Sequence, residues 1–288
     1  MLLSTYQLQR FRCDGFIVVP DVFSANEVAL LRVETERLIS VPSDGLVLED
    51  DNISPRSLNG PHLLSGLMRE LVRSPRLLPI AEQILGDDVY LHQYKINIKR
   101  AFVGEQWEWH SDFWFWQEED GMPAPEALTA AIFLDDVNDF NGPTLFVPGS
   151  HHEKLENQHH SLAVENPEAG QDWRTTTAKS LKYQLDRGYL SAEIGSKGIV
   201  AAKGMAGSVL FFHCNTLHAS TGNPSPWNRR TTFISYNRVS NALIEKTLPR
   251  PAFLANRDFT KLTKSADALA GEVSPNNFAL QDQEAVLS

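Results

Sequence analysis

Trp107-Glu108-Trp109-His110-Ser111-Asp112-Phe113-Trp114-Phe115-Trp116 is the stretch on which the reading of this chain turns. In a strand, residues i and i+2 face one side, so His110 and Asp112 are expected to project together. An imidazole and a carboxylate converging from one strand supply two corners of a metal site. His218 is the candidate third corner, because it follows the apolar run Val209-Leu210-Phe211-Phe212 in a neighbouring strand or its turn. Two histidines and one carboxylate, with three positions left open, form the facial triad of non-haem Fe(II) oxygenases.

Taken alone, His-x-Asp reads equally well as a surface histidine near an aspartate. Arg229, shortly after His218 in the sequence, adds the weight. A 2-oxoglutarate co-substrate chelates such an iron through its 2-oxo and C1 carboxylate groups, and its C5 carboxylate then needs a partner. A guanidinium fork on the adjoining strand meets that need bidentately. Ser220 adds a hydroxyl at the same end.

Upstream, Val89-Tyr90-Leu91-His92-Gln93-Tyr94-Lys95-Ile96-Asn97-Ile98-Lys99 has the aromatic and β-branched content of a strand. Gln93, Lys95 and Asn97 share one parity while Tyr94, Ile96 and Ile98 take the other. By pattern, that polar row suits a solvated outer face or a polar lining inside a barrel. Further strands are expected at Glu105–His110, Leu128–Leu134, Thr144–Val147, Ser208–His213 and Thr231–Arg238. Asn141-Gly142-Pro143 and Pro148-Gly149-Ser150 punctuate them as turns. The polar stretch from His151 to Lys203 reads as a partly helical insertion.

Before residue 87 the chain is mainly helical. A helix is expected from Ser4 to Asp14, then a short strand to Val19. Ser24-Ala25-Asn26-Glu27 has the capping-box pattern and opens a helix to Ile39. Pro42 to Pro61 reads as an irregular loop or lid, and Leu63 to Leu85 as two helices broken near Ser74-Pro75. Helices followed by many strands predict one α+β domain over residues 1–288. It has a helical part at about 1–86 and a double-stranded β-helix (jelly-roll, cupin-like) core at about 87–245, with the insertion at about 151–203.

Composition bounds the partners. Lys+Arg of 26 against Asp+Glu of 36 gives −10, without the basic footprint of a nucleic-acid binder. No apolar run approaches the ~18 residues of a membrane span, and the first residues do not read as a signal peptide. The two cysteines, Cys13 and Cys214, are far apart and imply no disulfide framework. A cytoplasmic protein, monomer or homodimer, acting on a small molecule is the expectation.

Trp109-His110-Ser111-Asp112-Phe113, Glu119-Asp120-Gly121-Met122-Pro123, Asn141-Gly142-Pro143, Val147-Pro148-Gly149-Ser150-His151 and the His218…Arg229 pair together resemble the phytanoyl-CoA dioxygenase superfamily. The resemblance runs from roughly Gly15 to Thr260. It points to the branch of ectoine hydroxylases and free-amino-acid hydroxylases acting on proline, pipecolate or leucine. It implies Fe(II), 2-oxoglutarate and O2, with His110, Asp112 and His218 as iron ligands and Arg229 as the co-substrate anchor. Ser220, Asn97 and Gln93 resemble further co-substrate contacts. Gln93, Lys95, Trp116 and Phe233 also fall where ectoine hydroxylases place residues near the substrate. This selects the inner-lining reading for the polar row.

Two departures count against ectoine. Phe115 stands where ectoine hydroxylases have Thr, and Lys95 where they have Arg, which is not a neutral exchange at a bidentate site. The segment His92–Asn97 and the tail Pro249-Arg250-Pro251-Ala252-Phe253-Leu254 through Arg257-Asp258 look more like proline and leucine hydroxylases. Hydroxylation of a free L-amino acid is therefore expected first and ectoine second. Acyl-CoA hydroxylation and a non-catalytic jelly-roll binding module stand behind them. A carboxylate at Asp112, where related halogenases have a small residue, argues for hydroxylation. The substrate carboxylate is expected to meet Lys95 or an arginine of the Pro42–Pro61 loop such as Arg56. Trp107, Trp109 and Trp114 are read mainly as packing, His151-His152 and His159-His160 as solvated, and His92, His213 and Cys214 as buried.

Overall fold

The protein is described from a computed structural model, which covers residues 1–153, 159–161, 173, 181–267 and 269. The first helix, α1 (Thr5–Asp14), is capped reciprocally by Ser4 and Gln7 and ends at Gly15, whose φ of 83° only glycine adopts without strain. The chain passes through β1 (Phe16–Val19) into α2 (Ala25–Ile39). The expected capping box is present: Ser24 Oγ accepts from Glu27 N–H, and Glu27 accepts from Ser24 N–H.

The Pro42–Pro61 segment is not an open loop or lid. It forms a hairpin of β2 (Leu46–Leu48) and β3 (Pro55–Asn59), and β3 pairs with β4 (Val89–Lys99). The hairpin escaped sequence reading because Pro-Arg-Ser-Leu-Asn lacks β-branched and aromatic residues. Its polar side chains Arg56, Ser57 and Asn59 are nevertheless buried. Three short helices follow where two are expected: α3 (Pro61–Leu64), α4 (Gly66–Val72) and α5 (Leu78–Leu85). The break between the last two contains Ser74-Pro75.

After β4 come β5 (Trp107–His110), α6 (Asp112–Phe115) and a single turn of π-helix over Trp116–Asp120. Next are β6 (Ala127–Phe133), β7 (Thr144–Phe146), β8 (His159–Ser161), β9 (Tyr183–Leu185) and α7 (Arg187–Lys197). The chain continues through β10 (Val200–Ala202), β11 (Val209–His213), β12 (His218–Ser220) and β13 (Arg229–Arg238).

The strands form an antiparallel seven-stranded sheet ordered β1-β11-β6-β13-β4-β3-β2 and a four-stranded sheet ordered β10-β7-β12-β5. The helical part is thus not helical throughout: β1, β2 and β3 complete the larger sheet. The expected 151–203 insertion is also shorter than its bounds, since β10 belongs to the smaller sheet. Within it, β8 pairs with β9.

Period-two alternation decides which residues meet. From β4, β6, β11 and β13, Tyr94, Ile96, Leu128, Ala130, Ile132, Val209, Phe211 and Ile234 pack in one cluster with Leu31, Met68 and Ile80 of the helices. Their neighbours Ala131, Phe133, Leu210, Phe212 and Phe233 turn the other way and meet Phe146 and Ala202 of the smaller sheet. The result is the expected jelly roll, with α2, α4 and α5 on the outer face of the larger sheet and α7 packed beside the smaller one. Lys95 and Asn97 share the parity of the inner face, so the polar row on β4 lines the interior.

Candidate metal centre and its two compartments

β5 and β12 are neighbours in the smaller sheet, with His110 directly opposite His218. Opposed residues bring their side chains close, and the two imidazole centroids lie 4.2 Å apart. Asp112 arrives by a different device from the one expected. The strand ends at His110, Ser111 caps α6, and Asp112 is the first residue of that helix. A Ser cap followed by an acid in the first turn is a helix start, and it prevails over the local aromatic content. The strand-to-helix turn places Asp112 Oδ1 3.7 Å from His110 Nε2 and 3.8 Å from His218 Nε2. One ligand atom from each residue lies within 4.8 Å of the others.

The outer nitrogens fix the ring states. His110 Nδ1 is 2.6 Å from the Glu108 carbonyl and His218 Nδ1 is 2.9 Å from the Thr216 carbonyl. Only an N–H can face a carbonyl, so each ring carries its proton on Nδ1 and presents a bare Nε2 to the centre, as metal-ligating histidines do. Burial, and then the facing His218, lower the His110 pKa to about 3. Burial likewise lowers that of His218. Burial works against the Asp112 carboxylate but is outweighed by Lys95, His218 and His110, which together lower its pKa. Two neutral imidazoles and one carboxylate are the protonation states a divalent ion requires.

A first compartment opens from the triad toward Arg229 and is lined by Lys95, Asn97, Thr144, Ser220 and Phe233. Arg229 is 2% exposed; its Nη1 donates to Thr231 Oγ1 and its Nη2 to the Gly142 carbonyl, while Nε has no partner among the described residues. No carboxylate among the described residues pairs with it, and burial lowers its pKa to about 10. A buried guanidinium at the end of a pocket, without an acid of its own, fits the distal carboxylate of a dicarboxylate. Asn97 Oδ1 is also buried and without a partner among the described residues.

The second compartment opens on the other side of the triad and is lined by Asn59, Gln93, Lys95, Trp107, Phe115, Trp116, Leu181 and Arg250. Gln93 sits here and not beside Arg229, because it is two same-face steps along β4 from Asn97. Phe233 lines the first compartment, opposite Lys95 in the strand register. Lys95 and Trp107 border both compartments, with the ammonium 5.8 Å from the Trp107 ring and 5.6 Å from the Phe233 ring.

Sequence reading missed Trp107, Asn59 and Arg250. Trp107 and His110 are three apart and should face opposite ways in a regular strand. The register shift opposite His218 and Ser220 inserts an extra residue on β5, so both face inward. Arg250, beyond the last strand, donates through Nε and Nη2 to the two oxygens of Asp120 at 2.8 and 2.6 Å. The same carboxylate lies 3.4 Å from His92 Nε2, and His92 stands edge-on to Trp116. The arginine beside Asp120 outweighs its burial and lowers its pKa to about 2.

Arg56 borders neither compartment, so the expected contact with a substrate carboxylate is corrected. Its Nη1 donates to Glu49 at 2.8 Å, its Nη2 to the Gln106 carbonyl, and the guanidinium stacks 4.1 Å above Trp107. Trp114 lies outside the site, in a pocket with His151 and His152. His151 is in ring contact with His152 and His213 and is only half-buried. His92 and Cys214 are buried as expected, His213 is half-buried against His151, and the side chains of His159-His160 lie outside the described residues.

The phytanoyl-CoA dioxygenase (PhyH) family model matches residues 11–231. The ectoine dioxygenase of Bordetella bronchiseptica is 38% identical over 275 residues, covering 93% of this chain and 87% of its own. The L-proline trans-4-hydroxylase of Streptomyces griseoviridis is 38% identical over 251 residues, covering 87% of this chain and 92% of its own. Among solved structures, EctD from S. alaskensis with bound Fe superimposes with a TM-score of 0.77 at 34% identity, covering 93% of this chain and 89% of its own. The same protein with 2-oxoglutarate and 5-hydroxyectoine gives 0.74 at 33% identity, covering 93% and 87%. Among the described residues, no helix is long and apolar enough to cross a membrane.

Proposed function

The chain belongs to the phytanoyl-CoA dioxygenase family, and from that premise we propose that it hydroxylates a small free L-amino acid of the proline, pipecolate or leucine kind. It is a 2-oxoglutarate-dependent dioxygenase that works with iron and O2. Bound iron and co-substrate supply the oxidising chemistry that couples decarboxylation of 2-oxoglutarate, to succinate and CO2, with hydroxylation of a C–H bond. In this reading His110, Asp112 and His218 hold the metal, and Arg229 takes the distal carboxylate of 2-oxoglutarate, with Ser220 and Asn97 beside it.

The observation that carries the substrate reading is the second compartment. It is small, it shares Lys95, Trp107, His110 and Asp112 with the first, and it ends on Arg250. Arg250 is held rigidly by Asp120, which suits it to orient a substrate carboxylate. Trp107, Phe115 and Trp116 wall a short apolar body between that end and the metal, which positions one C–H group and excludes water. Lys95 stands where it can steer either acid.

A second reading is ectoine hydroxylation, favoured by the ectoine dioxygenases among the relatives and by the likeness to EctD. Both substrates are compact zwitterions with a carboxylate. The deciding experiment follows succinate and hydroxylated product with Fe(II), O2 and 2-oxoglutarate, offering L-proline, L-pipecolate, L-leucine and ectoine separately. Product from an amino acid is expected. Product from ectoine alone replaces the first reading by the second, and iron-loaded protein inert toward all four overturns both.

A further inference from the structure

We infer that Asn59 Oδ1 accepts a hydrogen bond from the substrate's nitrogen and makes the second compartment select an amino acid over a plain carboxylic acid. The inference rests on the amino-acid reading of that compartment. Asn59 is the last residue of β3, paired with Lys95 on β4, and lines the compartment while only 2% exposed. Its orientation is settled by its nitrogen. Nδ2 donates to the Gly45 carbonyl at 3.1 Å, and the Asn59 backbone N–H donates to the same carbonyl at 2.9 Å. A flipped amide would set Oδ1 against that carbonyl, oxygen to oxygen, so Oδ1 is turned away from it.

Gly45 makes the clamp possible. A Cβ there would lie 2.2 Å from the Asn59 carbonyl oxygen, so only glycine allows the turn entering β2 to come this close to the end of β3. Thus held, Oδ1 is buried and finds no partner among the described residues. A buried acceptor left unpaired is costly, and one on the wall of a ligand compartment is a place for a ligand donor.

Charge points the same way. Apart from Asp112, the acidic or basic side chains other than histidine among the described residues lining the compartment are Lys95 and Arg250, both basic. The nearby acid, Asp120, is taken by Arg250. Among the described lining residues, no other carboxylate is therefore left to meet a substrate amine, and the acceptors they offer its N–H are neutral. Gln93, which lines the same compartment, donates through Nε2 to the Leu254 carbonyl, which leaves its Oε1 as a second neutral acceptor.

The test crosses one substrate change with one protein change. L-proline is compared with cyclopentanecarboxylate, in which a CH2 replaces the ring nitrogen, in wild-type protein and in Asn59→Ala. Succinate formation gives kcat and KM, and thermal melting checks the fold. Wild-type kcat/KM should favour L-proline by roughly tenfold or more, because a site built for a donor rejects the analogue lacking it. Asn59→Ala should raise the KM for L-proline by a similar factor with kcat little changed, keep the KM for 2-oxoglutarate, and lose the preference between the two acids. An Asn59→Ala protein with an unchanged KM and an unchanged preference overturns the inference while leaving the amino-acid reading standing. If that variant does not fold, equal handling of the two acids by wild-type protein overturns it. Wild-type protein inert toward L-proline, L-pipecolate and L-leucine fails the amino-acid reading, and the inference with it.

Discussion

Arg229 and Arg56 are both buried arginines, yet they have opposite uses, and what each faces decides which. Arg56 has Glu49 at 2.8 Å, whereas Arg229, at the end of a pocket, has two neutral oxygens and an Nε without a partner among the described residues. A charge-assisted contact is worth about 1.5–3 kcal/mol, and each 1.4 kcal/mol is about tenfold in affinity. Arg229→Gln should therefore raise the KM for 2-oxoglutarate by roughly 10–100-fold, with Arg229→Lys recovering only part because it loses the planar fork. A 2-oxoglutarate titration of succinate formation checks this, and an unchanged KM for the Gln variant removes Arg229 from the co-substrate site. Asp112→Asn keeps the shape but not the charge, and iron retained per chain after desalting should fall to a small fraction of wild type. His110, Asp112, His218 and Arg229 were legible in the sequence because each is a residue type with narrow chemistry at a telling separation. Asn59 and Arg250 were not, because neither stands near that motif. A hairpin with no strand signature delivers one, and the chain's return beyond β13 delivers the other.

Local propensity predicted the elements wherever it agreed with the tertiary environment. β4, with β-branched and aromatic residues on its packed face, and α2, with its capping box, appear with the bounds expected. The misreadings lie where buried polar groups do structural work. The β2–β3 hairpin is held by Glu49, which accepts from Arg56 Nη1 and from Glu105 N–H, while Arg56 Nη2 reaches the Gln106 carbonyl. One ion pair thus ties the hairpin to the segment entering β5 and braces Trp107, the shared wall of both compartments. With the Arg56 and Glu49 side chains 2% and 3% exposed, the pair should behave as buried pairs do. Arg56→Met alone strands the Glu49 charge and should cost about 3–5 kcal/mol. The double variant Glu49→Leu, Arg56→Met removes both charges and should be clearly more stable than the single one. Urea unfolding of the three proteins measures this, and a double variant no more stable than the single one refutes the clamp.

Across the whole molecule, the two-sheet sandwich shields groups that prefer to stay uncharged, and this makes its stability depend on pH. Burial lowers the pKa of His62 to about 4, and burial is also the main cause that lowers His110 and His213 to about 3, from an ordinary 6.5. As pH falls below 6.5, the unfolded chain takes up protons that the folded chain refuses, so folding loses free energy. The slope approaches about 1.4 kcal/mol per pH unit for each such histidine. The loss begins at the unfolded value and continues to the folded one, a window from 6.5 to about 4 for His62. Lys99, lowered to about 6 by burial and then by Arg229, slopes in the same direction between 10.5 and 6. Asp120, lowered to about 2, carries the decline below 3.8. The urea midpoint of metal-free protein should therefore fall between pH 7.5 and 5.5 and steepen below 6.5. His62→Phe, which preserves the ring stacked on Tyr94, should reduce the steepening by one proton's share. With iron bound, the decline should be steeper still, because His110 and His218 must then give up both metal and neutrality. A midpoint unchanged over this range would show that these imidazoles are solvated, and the sandwich would then not exclude water from the site it encloses.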